Sequence, residues 1–250
     1  MTSATDPHFN LGLDLTIVIP CLNEEQDIAG TLDTVFAAMR ELPQTFEVIV
    51  VDDGSTDSTA TIVERYQDAR PELPLRLHRN GRNRGLARSY IDGAFLGRGK
   101  YYKQVCGDNV ESCETLVAIL RHVGEADIII PHYQAKLPGK SAFRIWLSQS
   151  YTRLVNLIGG HQIHYYNGLA VHTRYNVMRW GPYSFGFGFQ AELIARLLDE
   201  GASYLQVMVQ GTHREKKGKN SAVNLKNFLS VSHTLLEMFI WRIRKRALQK

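Results

Sequence analysis

Two adjacent carboxylates, Asp52 and Asp53, stand between the apolar run Val48–Val51 and the hydroxyl-rich stretch Gly54-Ser-Thr-Asp-Ser-Thr59. One acid there is enough to cap a following helix, and Ser55, Thr56 or Asp57 can do that work. A side-by-side pair points instead to a ligand whose neutral donors, a nucleobase N–H or a ribose hydroxyl, suit carboxylate acceptors. Three more loops follow apolar runs. Pro20-Cys-Leu-Asn-Glu-Glu25 offers Asn23 and Glu24 for a base or ribose, without the glycines that cradle a phosphate. Arg79-Asn-Gly-Arg-Asn-Arg-Gly85 brings three arginines, Arg84 among them, with Arg88 one turn further on. Guanidinium groups ahead of a helix suit a diphosphate, and a solvated basic loop is the plain alternative. Cys106-Gly-Asp-Asn-Val-Glu111 presents Asp108, an oxygen ligand for Mg2+ or Mn2+ that would share the ion with phosphate and water.

The elements that must position these loops alternate. Strand patterns at Leu15–Ile19, Phe46–Val51, Leu75–His78, Tyr101–Cys106 and Asp127–Ile130 are separated by helical ones. The first helix places Ile28, Leu32, Val35, Phe36 and Met39 on one face, with Asn23 and Gln26 as an expected capping box. Such alternation predicts an α/β fold: a mainly parallel sheet with helices on both faces, binding ligands beyond the carboxyl ends of its strands. The second half is less regular. It reads as a helix over Phe143–Ile158, a turn at Asn167–Gly168 and a strand over Leu169–His172. A helix over Phe189–Glu200 stopped by Gly201 follows, then a strand over Tyr204–Val209 and a final amphipathic helix ending in the basic Arg242–Arg246.

The bulk numbers set outer bounds. With 250 residues, 44% hydrophobic and 22% charged, the chain is neither disordered nor collagen-like in composition. Three cysteines, an odd number without framework spacing, predict a reducing compartment, and no leader or membrane span is readable. A cytoplasmic protein, soluble or peripheral at the inner face of the membrane, is expected. Net charge is uneven: residues 211–250 hold ten Lys/Arg against two acids, and the first 210 hold nineteen against twenty-three. A basic end on an acidic body suits anionic phosphate, nucleic acid or a membrane surface. The absence of Gly-x-Gly-x-x-Gly and of a Walker A sequence excludes the dinucleotide and P-loop classes.

PCLNEE, VVDDGSTDST, NRGLAR and the GDN loop together resemble, in order and spacing, the inverting glycosyltransferases of family 2 with the GT-A fold. The pattern is similar to that of dolichol-phosphate mannose synthases and bacterial polyprenyl-phosphate glycosyltransferases. The resemblance implies a GDP- or UDP-linked nucleotide sugar, gripped at its nucleoside by Pro20, Asn23, Glu24, Asp52 and Asp53. It implies a diphosphate held by Arg84, Arg88, Arg214, Lys216 and Lys219, and Mg2+ or Mn2+ at Asp108, weakly bound. Asn167-Gly168 resembles the family's acceptor-side turn, and Phe189-Gln-Ala-Glu192 its acceptor helix, making Gln190 and Glu192 catalytic candidates beside Asp108. The family's Asp-x-Asp appears here as Cys106-Gly-Asp108, and Val110 occupies a further ligand position. The expected organisation is a GT-A domain over 1–221 with an amphipathic basic helix over 222–250. The expected reaction moves the sugar to a lipid phosphate at a membrane surface reached through that helix, with no role for nucleic acid. Transfer to a sugar hydroxyl, or sugar-nucleotide binding without turnover, is the alternative.

Overall fold

A computed structural model describes residues 12–133, 142–166, 168–179 and 188–210, with Leu235, Leu236, Phe239, Ile240 and Arg242. Asn167, Arg214, Lys216, Lys219, the boundary at 221 and most of the expected C-terminal helix lie outside the described residues.

The chain runs β1 (Leu13–Cys21), α1 (Ile28–Arg40), β2 (Phe46–Asp52), α2 (Thr59–Ala69), β3 (Leu75–Arg79), α3 (Leu86–Leu96) and β4 (Gly99–Gln104). It continues through α4 (Cys113–Leu120), β5 (Ile128–Tyr133), α5 (Ala142–Gly159), β6 (Val171–Thr173), α6 (Arg174–Met178), α7 (Phe189–Asp199) and β7 (Tyr204–Val209). The seven strands form one sheet in the order β3-β2-β1-β4-β6-β5-β7. Strands β1 to β4 are mutually parallel, and β1 lies between β2 and β4. The chain therefore winds outward through β2 and β3, then returns to the other side of β1. That reversal opens a crevice beyond the carboxyl ends of β1 and β4, where open α/β sheets bind ligands.

Both faces of the central strands are covered, so β1 and β2 are nearly continuous apolar runs rather than alternating ones. Leu15, Ile17, Ile19, Val48 and Val50 pack with α1 and α4 on one face, through Leu32, Val35, Leu116 and Ile119. On the other, Val18, Ile49, Val51 and Tyr102 meet Tyr90 and Ile91 of α3 and Phe189, Leu193 and Ile194 of α7.

Two expectations are corrected. The capping box at Asn23 and Gln26 does not form: α1 begins at Ile28 after Asp27, which makes no side-chain cap bond. Asn23 has φ 56 and gives its side-chain carbonyl to the second loop, because an exposed backbone N–H there needs an acceptor. The expected strand over Leu169–His172 is the shorter β6, which runs antiparallel to both β4 and β5, so the sheet is mixed. The turn before it holds Gly168, where a Cβ would run into the carbonyl oxygen of Pro131, so only glycine permits that approach to β5.

Candidate active site

The first two loops are laced by reciprocal hydrogen bonds. Asn23 N–H donates to Ser55 Oγ (2.9 Å), and Thr56 N–H donates to Asn23 Oδ1 (2.9 Å). Glu24 N–H donates to Thr59 Oγ1 (2.8 Å), Glu25 N–H to Asp57 Oδ2 (3.2 Å), and Ser58 N–H to Glu25 Oε2 (3.0 Å). The hydroxyls of GSTDST thus satisfy the backbone of PCLNEE, and the two loops form one wall of the crevice.

The third loop is fastened to that wall by Asp53. Its Oδ1 accepts from Asn80 Nδ2 (2.8 Å) and Arg84 N–H (2.9 Å), and its Oδ2 from Gly85 N–H (2.8 Å). Asn80 N–H also donates to Asp52 O (2.8 Å). Gly54 makes room: at φ +79, a Cβ there would lie 2.7 Å from the carbonyl carbon of Arg82. Asp52 is as buried as Asp53, and its Oδ1 accepts from Ser55 N–H (3.1 Å). Arg84 and Arg88 come together on Asp92, each at 2.8 Å, with both guanidinium groups near half exposed. Asp92 thus holds both arginine side chains at the start of α3.

The fourth loop is held from below by α1. Thr31 Oγ1 donates to Gly107 O (2.9 Å), and Thr34 Oγ1 to Asn109 Oδ1 (3.0 Å), Asn109 being left-handed at φ 53. Gly107 packs near the Glu24 stem, a Cβ there lying 3.4 Å from Glu24 Cγ, so the first and fourth loops face each other across the crevice. The loop ends on Ser112, which caps α4 by accepting from Thr115 N–H (3.3 Å). Between them is a buried ion pair, Lys103 Nζ to Glu111 Oε1 at 3.0 Å, with the ammonium also donating to Gln104 O (2.6 Å).

The donor set sets limits on a metal. Burial, then the Asp108 and Glu111 carboxylates, push the Cys106 thiol up to about 12, so it stays protonated and offers no thiolate. Val110 has no donor atom, and among the described residues no three His, Cys, Asp or Glu side chains gather as a metal cluster. Asp108 is left to supply the protein's oxygen. This fits an ion brought in largely by a diphosphate and its waters, not a resident ion.

Helix α7 carries the expected acceptor-side pair, and its two members diverge. Gln190 and Glu192 are both 3% exposed, so Gln190 lies in the interior rather than at an open mouth. Glu192 accepts from Arg196 one turn on (3.1 Å) and adds to the burial that pushes the Tyr151 hydroxyl up. Gln190 lies against Tyr90 of α3 and His172 of β6, close enough to perturb both. Sequence reasoning missed this neighbourhood. Both ring nitrogens of His172, both amide atoms of Gln104 and of Gln190, and the Tyr90 hydroxyl are buried without a hydrogen-bond partner among the described residues. Gln104 ends β4, two residues before Cys106 of the fourth loop. The available signal was the polar pair Lys103-Gln104 placed between Tyr101-Tyr102 and Val105-Cys106.

A family model described as Glycosyl transferase family 2 matches residues 16–163, more than half of the chain, and the chain belongs to that family. It is similar to the dodecaprenyl-phosphate galacturonate synthase of Rhizobium johnstonii, 38% identical over 96 residues, 38% of this chain and 28% of that protein. It is also similar to the dolichyl-phosphate beta-glucosyltransferase of Dictyostelium discoideum, 33% identical over 99 residues, 38% of this chain and 30% of that protein. The matches thus span less than a third of either relative's length. Among solved structures, glucosyl-3-phosphoglycerate synthase from Mycobacterium tuberculosis with Mn2+, UDP and glucosyl-3-phosphoglycerate superposes with TM-score 0.66. Identity is 16%, over 94% of this chain and 81% of that one. The mannosyltransferase PcManGT from Pyrobaculum calidifontis with GDP-Man and Mn2+ gives TM-score 0.60 at 17% identity, over 84% of this chain and 61% of that one. These likenesses bear out the GT-A architecture.

Proposed function

We propose that the chain is an inverting glycosyltransferase that moves a sugar from a nucleoside-diphosphate sugar to a polyprenyl phosphate. One observation carries this reading: three loops, bearing Glu24, Asp52, Asp53 and Arg84, are fastened to one another, and the fourth, bearing Asp108, packs beside the first where the sheet reverses direction. The names of the two curated relatives, both transferases to polyprenyl phosphates, support the acceptor.

In this reading, Pro20, Asn23, Glu24 and Asp52 receive the nucleoside. Asp53 contributes chiefly by holding Arg84 and Gly85 in place. Arg84 and Arg88 exchange Asp92 for the donor's diphosphate, joined by Arg214, Lys216 and Lys219. A divalent ion at Asp108 would supply positive charge against the leaving diphosphate. The acceptor oxygen attacks the anomeric carbon from the face opposite the diphosphate. A carbon–oxygen bond forms as the other breaks, and the electron pair leaves with the nucleoside diphosphate. Fixed cations stabilise that departing charge, which is where preorganised electrostatics act most strongly. Asn167, Gly168 and helix α7 serve the acceptor in this reading. The catalytic unit is residues 1–221, working at the cytoplasmic face of a membrane with the basic 222–250 segment against it.

The test is thermal stabilisation of the purified chain by a panel of GDP- and UDP-sugars with and without Mn2+, followed by transfer to a short-chain polyprenyl phosphate. Selective stabilisation by one donor, with transfer lost in Asp108→Ala, is expected. Stabilisation without transfer or hydrolysis would make the chain a binding protein.

A further inference from the structure

Four polar side chains meet between the sheet and helices α3 and α7, each from a different element. Tyr102 and His172 lie opposite each other where β4 and β6 pair, so they share one face of the sheet. Gln104, two residues along β4 from Tyr102, projects from that same face. Tyr90 of α3 covers it, its ring 5.1 Å from that of Tyr102 and 5.2 Å from that of Phe189. Gln190 follows Phe189 in the first turn of α7 and lies close enough to perturb both Tyr90 and His172. Gln104, His172, Gln190 and Tyr90 are each at most 3% exposed. Their side chains hold seven nitrogen and oxygen atoms, and none has a hydrogen-bond partner among the described residues.

Seven such atoms left dry would together cost as much as the net stability of a whole domain, so something other than protein must pair with them. Chemistry selects it. The amides and the phenol are neutral, and burial holds the His172 imidazole neutral as well. An ion here would be buried without a counter-charge. Each of the four side chains offers both a donor and an acceptor, and water matches both. The spacing agrees. Gln190 perturbs Tyr90 and His172 yet bonds directly to neither, which is the separation one bridging water spans.

We infer that these four side chains line a buried site for ordered water, and that this water seats the first turn of α7. A buried water makes about three hydrogen bonds, enough to tie Gln190 to His172 and Tyr90 at once. Gln104 and His172 are then positioning residues, acting on α7 through water and Gln190 and touching no substrate. In the proposed reaction α7 serves the acceptor, so the consequence for transfer rests on that reading. The water site itself does not.

The test begins with the full chain and no substrate. Glutamine is isotopically labelled, and Gln104→Met and Gln190→Met assign the two side-chain amides in magnetic-resonance spectra. In the parent, both amides should show cross-relaxation with water, of the sign that separates bound water from hydrogen exchange. Methionine keeps the length of each side chain. The melting temperature of the double variant should therefore fall by clearly less than the two single falls added, because a shared water couples the sites. Water contact at neither amide in the parent overturns the inference and needs no variant to fold. Strictly additive melting overturns it as well. Transfer assays then read the seating of α7. Gln104→Met should raise the acceptor KM at least about twofold and leave the donor KM unchanged. A rise in both constants, or in neither, removes the positioning role. If the parent transfers no sugar at all, the proposed activity fails while the spectra still decide the water site.

Discussion

Asp53 receives three N–H donors from the third loop, so its carboxylate is first a fastening for the arginines. Asp53→Asn would turn an N–H toward the donors of Arg84 or Gly85, at a cost of about 1–3 kcal/mol. The melting temperature should fall, and affinity for a nucleoside diphosphate should drop more than affinity for the free nucleoside. Asp52→Asn should show the reverse, weakening the nucleoside with the fold intact. Calorimetry with both ligands beside thermal unfolding separates the two. An Asp53→Asn protein that keeps its melting temperature and loses the free nucleoside would put Asp53 on the base itself. His172 gives a pH signature. Burial, only partly offset by Gln190, pushes its imidazole down from 6.5 to about 4, with Lys103 adding a smaller push. The folded chain therefore holds it neutral while the unfolded chain protonates it. The resulting stability is complete above pH 6.5 and is lost as pH falls toward 4. The loss reaches about 2 kcal/mol near pH 5. His172→Leu should flatten that limb in urea titrations at pH 5 and 7, and an unchanged slope would assign the limb to other groups. The carboxylate pair was legible in sequence because acids after an apolar run are conspicuous. Asp53's partners were not, since they come from residues 80, 84 and 85 on another strand's loop.

At the scale of elements, the first half was legible because parallel buried strands and amphipathic helices have different periods. Strand β6 was misjudged in extent, and its antiparallel direction was not legible, since three residues carry no period and only the pairing to β4 and β5 defines it. The start of α1 was misplaced because Asn23 serves the neighbouring loop instead of its own helix. The turn from β4 to α4 hides a further device, the Lys103–Glu111 pair, whose side chains are 0% and 5% exposed. Removing one partner leaves the other buried and uncompensated, at a cost of roughly 3–5 kcal/mol, whereas replacing both with apolar groups is often nearly neutral. Lys103→Met should therefore destabilise the chain severely, and Lys103→Met/Glu111→Leu should recover most of the loss in urea unfolding. If the double variant is as unstable as the sum of the two single ones, the pair is not coupled as the geometry indicates. Because the pair closes the loop that carries Asp108, Lys103→Met should also blunt the Mn2+ response of donor binding.

The whole molecule sets its nucleophile against its available bases. A sugar hydroxyl must shed a proton as it attacks and so calls for a positioned base. A phosphate monoester, with a second pKa near ~6, is already largely ionised at neutral pH and needs cations instead. Glu192, the one carboxylate on the expected acceptor helix near Gln190, is buried and accepts from Arg196 at 3.1 Å. Gln190 cannot titrate and faces His172 and Tyr90, away from Glu192, as i,i+2 positions on a helix must. The excess of positive charge, by contrast, gathers in residues 211–250. That charge was legible from the sequence, but the exposure of Leu154 and Leu157 on α5 was not, because leucines read in one dimension as core. Transfer to a polyprenyl phosphate should thus rise with pH and level off above about pH 7, following ionisation of the acceptor. Glu192→Gln should keep that plateau and most of the rate, while Arg214→Ala should lose more. Initial rates across pH 5.5–9 with a phosphate acceptor and with a hydroxyl acceptor decide the matter. Transfer only to the hydroxyl, with a basic limb that disappears in Glu192→Gln, would make Glu192 a base and move the chain to the glycan-extending branch of its family.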